Sequence, residues 1–268
     1  MTNKEKKRKM HNKGMSAVVR GLIILLVSFA VILFFIFRLN LGEESNKEIC
    51  HNSVLLKDKS EGFVGSLDCR TNYVCISGGS DCASLDSSSN VDVDASDKEQ
   101  VMKVLADEMS DCWWQFGEGK VDYTGAISDI SAFEKFSCGV CSVVSFDSKV
   151  QKNTKITYQE FYDYLRTTKK TESQTYLQYL YSKNDLISFS QGFNPNDYMS
   201  NSLEFGNQYV IVTGAIGKGI LSFDFRFWTP EFWWGASEKG ASPQPVVILE
   251  KTQENYQKLG CTDFITKA

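Results

Sequence analysis

Cys138-Gly-Val-Cys-Ser-Val-Val-Ser-Phe146 is the stretch from which the fold can be read. Its β-branched residues follow the second cysteine at once, so it reads as a buried strand. That reading decides what its Cys-X-X-Cys does. A thioredoxin-type redox pair sits at a helix N-terminus, where the dipole lowers a thiol pKa. In a strand, residues three apart point to opposite faces, so Cys138 and Cys141 are expected in two separate structural disulfides. Upstream, Val101, Leu105, Met109, Cys112 and Phe116 recur at helical spacing and make one apolar face. Cys112 lies on that face, so its expected partner is Cys138 or Cys141, across the core.

The surrounding chain reads in the same way. Ser96-Asp-Lys-Glu99 has the spacing of a capping box and opens the helix carrying Cys112, which Gly117 and Gly119 end. Thr157-Tyr-Gln-Glu160 is a second capping box, with Phe161 and Leu165 facing inward. A further helix is expected from Thr171 to Tyr181, with Tyr176, Leu177 and Leu180 apolar-facing. Strands are expected over 72–77, 208–213, 220–227 and 245–250, the middle two as a hairpin around Gly214–Gly219. Residues 83–96 read as a loop, and Thr252 caps a last short helix ended by Gly260. Strands come in clusters and do not alternate strictly with helices. The expected class is α+β, with a disulfide-stapled, mostly antiparallel mixed sheet.

The N-terminus sets a different kind of constraint. Residues 1–20 carry seven basic side chains and one acid, ending at Arg20. Residues 21–37 contain no charge and no proline. At helical rise that run is about 25 Å long, the short end of a bilayer span, and it lengthens if counted from Met15. Basic flanks stay cytoplasmic. The expected layout is a cytoplasmic leader (1–20), a transmembrane helix (21–37), a stalk (38–62) and an extracytoplasmic domain (63–268). The protein would sit in the cell membrane as a single-pass signal anchor, with the lipid bilayer as partner of residues 21–37. A cleaved signal peptide fits less well, because the apolar run ends in Phe35-Ile36-Phe37-Arg38 rather than small residues.

Formal net charge is −4; residues 1–20 contribute +6 and Arg38 another +1, which leaves −11 for residues 39–268. An acidic outer part argues against nucleic acid and anionic lipid as partners. All eight cysteines lie there: Cys50, Cys69, Cys75, Cys82, Cys112, Cys138, Cys141 and Cys261. An even number in an oxidising compartment suggests disulfides.

Other motifs have competing readings. Cys69, Cys75 and Cys82, with Cys50-His51 upstream, could ligate zinc, but the spacings are wider than those of zinc knuckles. Asp92-Val-Asp94-Ala-Ser96 alternates oxygens as a calcium loop does, yet Asp97 stands where glycine is expected and Lys103 where the closing acid is. Gly117-Glu-Gly-Lys120 and Gly214-Ala-Ile-Gly-Lys-Gly219 lack the full phosphate-loop pattern. No metal or cofactor is called for. Trp228, Phe232, Trp233 and Trp234 surround Thr229-Pro230-Glu231 and offer a binding loop for a surface protein or glycan, against the alternative of local packing. Histidine is limited to His11 and His51, so a serine-protease triad would need His51. Paired carboxylates could still support glycosidase chemistry, since they carry no local signature.

Two resemblances accompany these readings. His11-Asn-Lys-Gly14-Met-Ser-Ala-Val-Val19 resembles the leader junction of archaeal type IV pilin-like proteins, although Val19 stands where their glutamate is usual. That likeness implies processing after Gly14. Cys112-Trp-Trp-Gln-Phe-Gly-Glu-Gly-Lys120 followed by Cys-X-X-Cys resembles uncharacterised archaeal single-pass membrane proteins over about residues 97–182. It implies an archaeal origin and the same topology, and lends no activity and no catalytic residue. The expected function is a membrane-anchored binding or interaction domain. The alternatives are a pilin-like subunit and a carboxylate-based extracytoplasmic hydrolase.

Overall fold

The computed structural model describes residues 19, 21–32, 42–60, 66–83, 85, 89–123, 135–181, 202–217, 241–259 and 261–267. The chain divides into two units, Met1–Ser45 and Asn46–Ala268. In the first, helix α1 spans residues 21–32, and every one of them is exposed. Among the described residues no helix is long and apolar enough to cross a membrane. Residues 33–37 of the apolar run lie outside the described ones.

The second unit is built on β3 (Lys135–Phe146), the strand read from Cys138–Phe146. Among the described residues its sheet has six strands, in the order β2-β1-β3-β6-β7 with β8 also beside β3. The strands are β1 (Asn72–Ser77), β2 (Ser89–Asp92), β6 (Tyr209–Gly217), β7 (Ala241–Glu250) and β8 (Asp263–Phe264). β3 is antiparallel to β6, and β6 to β7. β1 runs parallel to both β2 and β3, and β8 parallel to β3. The sheet is therefore mixed, as expected, with its antiparallel pairing in β3-β6-β7 and parallel pairing of β1 and β8 with β3 and of β2 with β1. The parallel pairing of β1 with β3 is allowed by α3 (Lys98–Gln115), which lies in the crossover between them. A two-stranded ladder of β4 (Ile156–Thr157) and β5 (Ser202–Leu203) stands apart.

β6 continues through Gly214, where a turn was expected. A Cβ there would meet the Phe136 ring and the Ser137 carbonyl, so the close approach of β3 requires glycine. The next described strand after β6 is β7, which pairs with it antiparallel; the expected strand 220–227 lies outside the described residues.

Helices lie on both faces of the sheet, most of them on one. α3 buries Val101, Leu105, Met109 and Cys112. Its N-cap is Asp97, one residue later than the Ser96 expected: the carboxylate accepts from the Glu99 and Gln100 amides. Ser96 instead donates its hydroxyl to Asp94 Oδ1 at 2.7 Å. Gly117, at φ 77, ends the helix. α4 (Ser148–Asn153) follows β3. α5 (Tyr158–Thr167) opens with the expected Thr157–Glu160 capping box. α6 is only Tyr176–Tyr181, shorter than the helix expected from Thr171. A second capping box explains this. The Gln178 amide N–H donates to Thr175 Oγ1 at 3.2 Å, and the Thr175 N–H to Gln178 Oε1 at 2.8 Å. α7 (Gln253–Leu259) is capped by Thr252, whose Oγ1 accepts from the Asn255 amide.

Residues 46–59, expected to lie in a stalk, belong to the second unit as part of α2 (Gly42–Lys59). Cys50 and Val54 are fully buried there. The main core joins α2, α3, α5 and α6 to one sheet face. A smaller cluster of Cys138, Val140, Val143, Val210 and Val212 lies on the other, with Tyr256 and Leu259 of α7 against it.

Candidate functional site

All eight cysteines are paired: Cys50–Cys69, Cys75–Cys82, Cys112–Cys141 and Cys138–Cys261. The two cysteines of the Cys-X-X-Cys fall in the two different core clusters, so they serve separate bridges. Cys112 takes Cys141, one of its two expected partners. The pairing also consumes Cys50, Cys69, Cys75 and Cys82, leaving none of them as a zinc ligand. Among the described residues, no group of three or more His, Cys, Asp or Glu side chains is placed to hold a metal ion. The calcium-like segment is tied internally: Asp94 is engaged by Ser96, whose backbone and hydroxyl bonds hold its carboxyl below the usual range.

The densest collection of half-exposed polar and aromatic side chains follows the outer face of α3. Asp107, Asp111 and Trp114 share that face at helical spacing, and Glu118 continues the line past the helix end. α2 supplies one flank. Lys47 Nζ donates to Asp111 Oδ2 at 2.8 Å and to Glu108 Oε1 at 3.1 Å. The His51 ring stacks on Trp114 with centroids 4.1 Å apart and an 11° tilt. His51 Nδ1 lies 2.7 Å from the Trp114 carbonyl oxygen. A carbonyl only accepts, so Nδ1 carries the proton and Nε2 is the remaining ring nitrogen. α6 supplies the other flank. Tyr176 Oη donates to Asp107 Oδ1 at 2.6 Å, and Tyr179 Oη to Glu118 Oε1 at 2.8 Å.

Electrostatics explain why these charges persist at a partly covered surface. Burial opposes the Lys47 charge, but the Glu108 and Asp111 carboxylates outweigh it and hold its pKa above the ordinary lysine value. Burial pushes the Glu108 carboxyl up, against the pull of Lys47 and of the Ser142 hydroxyl, which donates to it at 2.6 Å. Glu118 is also penalised by burial, yet hydrogen bonds from Lys120 and Tyr179 hold its carboxyl below the usual range. Burial, with the carboxylates they donate to, pushes the Tyr176 and Tyr179 phenols up. Glu118 adopts φ 55 between Gly117 at 77 and Gly119 at 72. A non-glycine residue in that region costs on the order of 1 kcal/mol, which its two side-chain bonds offset.

The stripe can therefore present fixed carboxylates, an indole and phenols to solvent. Each carboxylate is met by a donor of the fold: Asp107 by Tyr176 and Lys103, Asp111 by Lys47, Glu118 by Tyr179 and Lys120. That arrangement suits recognition better than proton transfer. Sequence reading passed over it, although the spacing 107, 111, 114, 118 was a usable signal. The tryptophan loop, Trp228, Phe232, Trp233 and Trp234, lies outside the described residues. No family model, curated protein or solved structure matches the chain.

Proposed function

We propose that the protein is a membrane-anchored binding or interaction module, held by residues 21–37 with its disulfide-linked domain outside the cytoplasm. The observation that carries this reading is the pairing of all eight cysteines in a chain whose basic leader and apolar run precede every one of them. Disulfides persist in oxidising compartments, and basic flanks stay cytoplasmic. The two arguments are independent and give the same side for the domain. A surface protein or glycan is the partner class, met by the α3 stripe, the 228–234 loop or both. The committed donors of the stripe favour binding over hydrolysis.

The test is intact mass of the protein from membranes, before and after reduction, with protease added to whole cells. The expected result is membrane retention through an alkaline wash, digestion of the domain from outside, and two hydrogens gained per bridge on reduction. Recovery in the soluble fraction, or a domain shielded from external protease, would sink the reading. Loss of residues 1–14 would instead favour the pilin-like alternative.

A further inference from the structure

One ion pair of the domain differs from the rest. Lys47 Nζ lies 2.8 Å from Asp111 Oδ2 and 3.1 Å from Glu108 Oε1. Among the described ion pairs its cation is the least exposed, with 14% of the side chain open, and the one held between two carboxylates. Those carboxylates differ from each other. The Glu108 side chain is 10% exposed and that of Asp111 39%. Glu108 Oε2 also accepts from the buried Ser142 hydroxyl at 2.6 Å, which fixes this carboxyl beside Nζ.

We propose that Lys47 and Asp111 condense to an intramolecular amide, with Glu108 carrying the protons. The ion pair is the precursor of that bond, and the inference stands apart from the anchor reading. An amine and a carboxyl held in contact react as if at about 10⁵–10⁸ M, so a condensation negligible between free partners becomes feasible within one chain. Burial opposes both the Lys47 ammonium and the Glu108 carboxylate, so passing a proton from Nζ to Oε1 relieves both penalties. The attraction between the charges keeps that neutral pair a minor state. It suffices, because the bond needs one turnover in the life of each molecule. Asp111 is the acceptor because it is the nearer carboxyl and the one Ser142 does not hold.

The atoms balance without any further reactant. The first proton passes from Nζ to Glu108. The freed lone pair attacks Asp111 Cγ, and Glu108 delivers the proton to an Asp111 oxygen. A second Nζ proton follows the same route, the Cγ–O bond breaks, and water leaves on the half-exposed side of Asp111. One ammonium and one carboxylate become one amide and one water, and Glu108 returns to its starting state. The product ties α2 to α3 across 64 residues by a bond that reducing agents leave intact.

Peptide mapping of the full-length protein, after denaturation and reduction, tests this. A branched peptide joining residues 47 and 111, lighter by one water than its two parts, is expected. Lys47→Arg and Glu108→Gln should each abolish it, since a guanidinium is not a nucleophile and a side-chain amide does not carry the protons. Residues 47 and 111 recovered wholly on separate peptides would overturn the proposal. So would loss of a water without a branch, which marks dehydration of an aspartate alone. A branch through residue 108, or one retained in Glu108→Gln, would overturn the role given to Glu108.

Discussion

Helices α1 and α3 differ in how their apolar residues are used. In α1, aliphatic and aromatic side chains point in every direction, and all are exposed, Leu25 by 69%. Its lone hydroxyl, on Ser28, donates to the Ile24 carbonyl at 2.8 Å, so even that polar group is satisfied within the helix. In α3 the apolar residues form one stripe and are almost completely buried, while Lys103, Asp107 and Asp111 reach solvent on the other side. Arrangement, more than content, decides what a helix packs against. A one-sided helix finds its partner in the same chain. A helix apolar all round has no single face that commits it to one partner.

The sharpest way to break this comparison is to cut α3 loose. Replacing Cys112 and Cys141 together by serine opens a bridge between residues 29 apart. The expected loss is about 3–4 kcal/mol, read as a lower urea midpoint. An unchanged midpoint would mean that α3 is held by its buried face alone. Next in size is a matched pair of truncations. Leu105→Ala, at a fully buried position, should cost about 3 kcal/mol. Leu25→Ala, at an exposed one, should leave the domain's unfolding midpoint where it was. If both shifted it equally, α1 would be part of the domain's core and the contrast would fail.

What could be read beforehand follows the same division. Patterns internal to one element were legible: the β-branched run of β3, the opposed cysteines, the apolar face of α3, the capping box of α5. Local competition between caps was harder. Asp97 displaced Ser96, because which of two adjacent oxygens meets the orphan amides depends on backbone geometry, and the cap at Thr175 starts α6 later than the expected Thr171. Partners far apart in sequence were not legible. α2 looked like a stalk because its own composition is polar, and it is tied to the domain by partners distant in sequence: the Cys50–Cys69 bridge, the packing of Val54, and the contacts of Lys47 and His51. The flanks of the α3 stripe have the same origin. Lys47 and Asp111 are 64 residues apart, and Tyr176 and Asp107 are 69 apart. Likewise, two parallel strands joined through α3 leave no turn signal by which their pairing could be recognised.

A smaller effect sharpens the contrast through pH. Asp147, only 1% exposed, joins the loop after β1 to the start of α4. Its Oδ2 accepts from the Gly78 amide at 2.9 Å, the Ser80 amide at 3.1 Å and the Ser80 hydroxyl at 2.6 Å. Its Oδ1 accepts from the Lys149 and Val150 amides at 3.1 and 2.8 Å. Burial opposes the charge, but these bonds outweigh it and hold the carboxyl below the usual aspartate range. A carboxyl lowered on folding stabilises fully above its unfolded pKa of about 3.9 and loses that contribution as pH falls through the folded value. Glu108 works in the opposite sense. Burial raises its carboxyl, so proton uptake there favours the folded state as pH drops through the raised value, and the Asp147 loss follows at lower pH. Asp147→Asn keeps the shape but puts an amide nitrogen or a neutral oxygen where five donors converge. It should cost about 2 kcal/mol at pH 7 and flatten the fall in stability below about pH 4, both measurable by urea unfolding. On the proposed anchoring through residues 21–37, retention in membranes should not change across that range, since those residues contain nothing that titrates. A variant as acid-sensitive as the parent would show that the domain's acid response originates elsewhere. Acid release from the membrane would show that the hold does not come from the apolar run.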